Sequence, residues 1–279
     1  MGVCVRSFFM TLQCVPEPVI EFRNVSYRLQ DGGSRAKNLL ENLNLAISRG
    51  ETVVLLGRSG AGKTTALKLI NRLVEPSGGE VLVEGKSTLD WDPIALRRRI
   101  GYVIQETGLF PHYTVAENVA LVPRLERWSP ERVERRVGEL LTMVGLAPGD
   151  FRQRLPHELS GGQRQRVGLA RALAADPAIL LMDEPFGALD PLTRAEIRGE
   201  FQGLKKRLGK TIVIVTHDIH EAASLGTRIA LMDAGRLTGV FSPREFLDSG
   251  QPVAAAFASQ LRDLENLRGS GRLGNNGEE

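Results

Sequence analysis

Residues Gly57 to Thr64 read GRSGAGKT, a glycine-rich turn set between the apolar run Thr52 to Leu56 and a helical run from Thr65 to Leu73. In a G-x-x-x-x-G-K-[ST] turn the backbone curls so that successive N–H groups converge on phosphate oxygens, and the N-terminus of the next helix adds partial positive charge there. Gly57, Arg58, Ser59, Gly60, Ala61 and Gly62 form the cradle, Lys63 has the reach for β and γ phosphates, and Thr64 offers a hydroxyl to Mg2+. This spacing points to chemistry on a nucleoside triphosphate. Alone, it leaves kinases, GTPases and several ATPase families open.

Ala178 to Glu184 reads AILLMDE, an apolar strand ending in two acids. Ligands of a parallel α/β sheet bind at the C-terminal strand ends, the edge that the phosphate turn also occupies. Asp183 is thus placed to hold Mg2+ through its water shell, and Glu184 to take a proton from an attacking water. A second glycine motif, LSGGQ at Leu159 to Gln163, precedes a helical stretch from Arg164 to Ala175. Ser160, Gly161 and Gly162 are either an ordinary N-cap or a second anion site.

Those residues need a scaffold, and the chain supplies an α/β one. From Pro18 onward short β-branched runs alternate with helical ones, the pattern of strands and crossover helices in a mostly parallel sheet. The strand candidates are Thr52 to Leu56, Glu80 to Val83, Gly101 to Ile104, Ile179 to Met182, Thr211 to Val215 and Arg228 to Met232. Several are nearly all apolar, as suits strands covered on both faces. Between Glu106 and Glu158 the pattern turns helical: Ser129 is an N-cap, Pro130 starts the helix, and Val133, Val137, Leu140, Leu141 and Val144 line one face. The expected division is an extension over 1–17, a body over 18–250 with a helical subdomain inserted at about 106–158, and a tail over 251–279. The last residues, Gly269 to Glu279, can bury almost nothing and are expected to be disordered.

Composition narrows the class further. With 279 residues, 42% hydrophobic and 25% charged, the chain is long enough for a sizeable core and is neither fibrous nor wholly disordered. The longest stretch free of Asp, Glu, Lys and Arg runs from Ser249 to Leu261, too short to span a bilayer. A net charge of +3 makes no electrostatic case for nucleic acid. The basic runs Arg97 to Arg99 and Lys205 to Arg207 read as solvated helix faces. Cys4 and Cys14 lack the spacing of a disulfide framework or zinc site, which suits a reducing cytosol.

The motifs GRSGAGKTT, LSGGQ and ILLMDEP, the ALD at Ala188 to Asp190, and His217, in this order over residues 18 to 248, resemble the ATPase subunit of ABC transporters. The resemblance implies a P-loop NTPase (RecA-like) core with an N-terminal antiparallel β subdomain and the inserted helices. It also implies MgATP hydrolysis by a head-to-tail dimer, taken as two copies, in which Ser160 to Gln163 of one subunit close on the γ-phosphate held by Gly57 to Thr65 of the other. By the same resemblance Tyr27 stacks on adenine, Gln105 links Mg2+ to the helical subdomain, His217 positions water and γ-phosphate, and Asp190 connects the two sites.

The flanking sequences IGYVIQETGLFPHYTVAENVALVP and LGKTIVIVTHDIHEA resemble importers of quaternary ammonium osmoprotectants such as glycine betaine, carnitine, choline and proline betaine. That implies permease subunits contacted through Phe110 and Tyr113, a solute-binding protein, and a peripheral place on the cytoplasmic face of the inner membrane. Two departures stand out: no room for a C-terminal pair of CBS domains, and Glu106 where the nearest family members would carry a second Gln. Importers for amino acids or polyamines are the rival, and a soluble ABC protein on ribosomes or DNA is disfavoured by the single P-loop and absent heptads. A GTPase is disfavoured because no Asn-Lys-x-Asp motif is present.

Overall fold

The computed structural model describes residues 17–29, 37–106 and 108–259; the expectations for 1–16 and for the end of the tail fall outside them. Strands β1 (Ile20–Leu29), β2 (Lys37–Ile47), β4 (Gly78–Val83) and β5 (Lys86–Ser87) form an antiparallel sheet in the order β2-β1-β4-β5. The local sequence does not advertise β1 and β2 as strands, because register shifts around Val25 and Tyr27 and left-handed Asn24 and Asn42 break the two-residue alternation.

The second sheet holds β3 (Thr52–Leu56), β6 (Ile100–Val103), β7 (Ile179–Asp183), β8 (Thr211–Thr216), β9 (Arg228–Asp233) and β10 (Arg236–Phe241) in the order β10-β9-β3-β8-β7-β6. All its pairings are parallel except that of the edge strand β10. Every residue of β3, β7 and β8 is buried, and alternate residues serve different cores. Val54 and Leu56 enter one with Leu180, Met182, Ile212 and Ile214, whereas Val53 and Leu55 enter the other with Leu181, Val213 and Val215. That division explains the unbroken apolar runs: both faces of the strand exclude water.

The first core is covered by α3 (Val115–Leu125), α4 (Pro130–Met143), α6 (Gly161–Leu173), α7 (Pro191–Leu208), α8 (Ile219–Leu225) and α9 (Pro243–Leu247). The second is covered by α1 (Lys63–Ile70), α2 (Pro93–Arg98) and the antiparallel sheet. A short α5 (Pro148–Phe151) follows α4. Ser129 caps α4 with Pro130 at its first position, and Val133, Val137, Leu140 and Leu141 are buried, as the spacing predicts.

Three sequence expectations are corrected. Helix α1 begins two residues earlier than the pattern suggests, at Lys63, since the phosphate turn itself feeds the helix. The basic runs are more than solvated faces: the Arg97 guanidinium donates to the carbonyls of Asn71 and Arg72, and Lys205 to that of Leu225, at helix ends where carbonyls lack intrahelical partners. Finally, residues 252–259, expected in the tail, are helical, and their Ala254 and Phe257 belong to the first core.

Candidate nucleotide site

The sheet register brings three distant segments to one level. Leu56 pairs with Thr216 across β3 and β8, and Val215 pairs with Asp183 across β8 and β7. The loops leaving β3, β7 and β8 therefore emerge together at the C-terminal edge, as open α/β sheets arrange their ligand sites.

In the first of these loops two glycines are required by space. A Cβ at Gly57 would lie 2.3 Å from the Met232 carbonyl oxygen; one at Gly62, where φ is +92°, would lie 2.6 Å from that of Leu39. Lys63 is only 5% exposed, and its Nζ donates to the carbonyls of Gly57 (2.8 Å) and Arg58 (2.9 Å). Burial pulls the Lys63 ammonium below the ordinary lysine range, opposed by Glu184 and Asp183. Arg58, Ser59 and Gly60 are exposed on the outer rim, Ala61 is buried under it, and Thr65 follows in α1.

The Thr64 hydroxyl donates to Asp183 Oδ1 at 2.9 Å. Burial raises the Asp183 carboxyl above the usual range, and the Thr64 hydrogen bond is the largest opposing effect. A hydroxyl and a carboxylate in contact beside a phosphate cradle form the hard oxygen set that Mg2+ takes when phosphates complete its shell, so these residues fit the ion. Glu184 follows in left-handed conformation (φ +43°), a strained state for a residue with a Cβ. Two bonds hold it: its N–H donates to Val215 at 2.9 Å, and its carbonyl accepts from Gly187 at 3.1 Å. Its Oε1 then lies 3.3 Å from Nδ1 of the exposed His217.

The other sequence candidates stand further apart. Ser160 caps α6 through a reciprocal pair: its hydroxyl accepts from the Gln163 N–H, and Gln163 Oε1 accepts from the Ser160 N–H. Gly161 and Gly162 seat that end of α6 against Leu189, Thr193 and Ile197. Asp190 caps α7, accepting from Thr193, which lowers its carboxyl pKa. Gln105 is exposed after β6 and makes no hydrogen bond among the described residues. Tyr27 is half-buried on β1 opposite Leu40, whose side chain abuts Gly62.

Sequence reasoning missed three residues here. Tyr102 on β6 is raised above the usual phenol range by burial and then by the nearby Asp183 charge. Ala256 and Phe257 line a cavity of about 300 Å3 with Arg58, Ser59 and His217. The available signal was the helical spacing of Val253, Ala254, Phe257 and Ala258 inside the charge-free stretch. Nothing local marks Tyr102 out, since Asp183 lies 81 positions away on the neighbouring strand.

A phosphate turn, a buried aspartate–threonine pair, a glutamate–histidine pair and a capped LSGGQ helix, on two sheets with interposed helices, define a nucleotide-binding cassette. Residues 40–187 match the family described as ABC transporter, and the chain belongs to that family. It is 50% identical over 82% of its length to the choline transport ATP-binding protein OpuBA of Bacillus subtilis. It is also 50% identical over 79% of its length to the glycine betaine/carnitine/choline transport ATP-binding protein OpuCA of the same organism. The chain spans 59% and 57% of the lengths of these relatives. Among solved structures, it is similar to the ATP-binding cassette MJ0796 in a dimeric post-hydrolysis state bound to ADP and Pi, with TM-score 0.73 and 38% identity over 81% of this chain and 99% of that one.

Proposed function

We propose that the chain is the ATP-hydrolysing subunit of an importer for quaternary ammonium osmoprotectants: glycine betaine, choline, carnitine or proline betaine. The solute class rests on one observation, that both relatives at half identity carry names for transport of choline or of glycine betaine, carnitine and choline. The chemistry rests on the site. Backbone N–H groups of Gly57 to Gly62, Lys63 and Thr65 bind the triphosphate, while Tyr27 stacks on the base. Thr64, Asp183 and Gln105 would hold Mg2+, which when bound neutralises charge on the β and γ phosphates. Glu184 accepts a proton from water as that water attacks the γ-phosphorus and the bond to the β–γ bridging oxygen breaks, ADP leaving with that oxygen, and His217, held by Glu184, orients the attacked group.

Two copies pair so that Ser160, Gly161, Gly162 and Gln163 of one cover the γ-phosphate of the other, with Asp190 at the seam. The assembly works with permease subunits at the inner face of the membrane, contacted through Phe110 and Tyr113, and with an external solute-binding protein. Those two aromatics suit a contact: both are exposed, their rings are 5.4 Å apart, and buried Asn118 pins the loop through Phe110, Tyr113 and Thr114. No described helix is long and apolar enough to cross a membrane, so passage of solute would fall to other subunits.

The test is uptake by vesicles carrying the chain with its co-expressed membrane subunits, using labelled glycine betaine, choline and carnitine in competition. ATP-dependent accumulation of one, displaced by the others and not by spermidine, is expected. Accumulation of a polyamine or an ordinary amino acid instead would overturn the solute class while leaving the hydrolytic site intact.

A further inference from the structure

Between α7 and the segment after β8 lies a charged cluster that the hydrolytic scheme does not use. Arg194 of α7 donates through Nη2 to the carbonyls of Leu189 (2.9 Å) and Gly187 (3.4 Å), in the loop that ends at Asp190. Its Nη1 stands 3.9 Å from Oδ2 of Asp218, the residue after His217. Asp218 is itself fixed, since its Oδ1 accepts from the His220 N–H at 2.7 Å and caps α8. With Gly187 donating to the Glu184 carbonyl and His217 paired to its carboxylate, the contacts close a ring: Glu184, Gly187, Arg194, Asp218, His217 and back.

Beside the ring is Glu221, 2% exposed on α8, with Thr216, Asp218, Arg194 and Arg198 as the polar and charged groups around it. Two buried atoms here lack a partner among the described residues, Nε of Arg194 and Oε2 of Glu221. One is a donor and the other an acceptor. An unmet buried polar atom is costly, and this cluster carries one of each kind between helices that meet at the site.

We propose that Arg194 is a positioning residue that ties the 187–190 loop to the segment carrying His217, so that both loops hold the Glu184 geometry as one unit. The proposal rests on the hydrolytic reading for its effect on turnover and on geometry alone for its effect on the loops.

Two measurements on the full chain test it. In steady-state ATP hydrolysis, R194A should lower kcat by about tenfold or more with KM for ATP changed less than about twofold, and R194K should recover part of the loss. In an H217A background, R194A should add less than about a further twofold, because both act through one geometry. A full multiplicative loss in that background, or an unchanged kcat, overturns the proposal. In hydrogen exchange read by mass spectrometry, R194A should speed exchange in both 186–190 and 217–221. Acceleration confined to 191–208, as a merely weakened helix would give, also overturns it. If wild type fails to hydrolyse ATP while the two loops still loosen together, the hydrolytic reading falls and the tie stands.

Discussion

At the residue scale, the sharpest feature is a glutamate in a backbone conformation that costs energy. Glu184 is left-handed, and the bonds from its N–H to Val215 and from Gly187 to its carbonyl keep it so. The carboxylate is thereby turned toward His217 at the strand edge. Replacing it by Gln keeps shape and backbone and removes the proposed base. E184Q should retain ATP and lose turnover by roughly 10²- to 10⁴-fold, the range of general-base contributions. Single-turnover hydrolysis measured beside nucleotide retention checks this; hydrolysis at the wild-type rate would mean that another group takes the proton. Of this site, the phosphate turn and the Asp183–Glu184 pair were legible directly, because each is a short run fixed to a strand end. Gln105, Tyr27, His217 and Asp190 were nameable only through resemblance. Their surroundings come from strands far apart in sequence.

At the element scale, the helix over 252–259 couples the chain beyond β10 to the phosphate turn. Phe257 is 7% exposed, and with Ala256 it walls the cavity shared with Arg58, Ser59 and His217. F257A should destabilise the chain by about 3–5 kcal/mol, the usual cost of emptying a buried phenylalanine site. It should also weaken ATP binding, because the cavity wall beside Ser59 is lost. Denaturant unfolding with and without nucleotide reads both effects; destabilisation with unchanged affinity would confine the helix to packing. The parallel strands were readable because their residues are buried on both faces, so hydrophobicity alone marks them. Strands β1 and β2 were not, because bulges move their side chains off a strict alternation. The helix at 252–259 hid behind its small residues, whose apolar face is carried by a single aromatic.

At the scale of the molecule, buried charge sets how stability responds to pH. Burial pushes the Glu221 carboxyl up to about 7 from an ordinary 4.5, with Asp218 adding to the rise and Thr216, Arg194 and Arg198 opposing it. The native state therefore binds more protons than the unfolded chain between those values. Stability contributed by the protonated group is complete below about 4.5 and is lost as pH rises to about 7. E221Q removes this dependence, so the stability difference between wild type and E221Q should shift against wild type by roughly 3 kcal/mol from pH 4.5 to 7.5. Chemical unfolding at both pH values measures it, and a pH-independent difference would show that Glu221 does not titrate in this window.

The strand order has a temporal consequence as well. In space β8 stands between β3 and β7, yet it is synthesised after both. Asp183 cannot settle beside Thr64 until Thr211–Thr216 has left the ribosome and slid between its neighbours. A nascent chain therefore carries its phosphate turn for some 150 residues of translation before the Thr64–Asp183 pair can form within the closed sheet. The threonine–aspartate contact at the sheet edge is thus completed only by a strand made after both of its members.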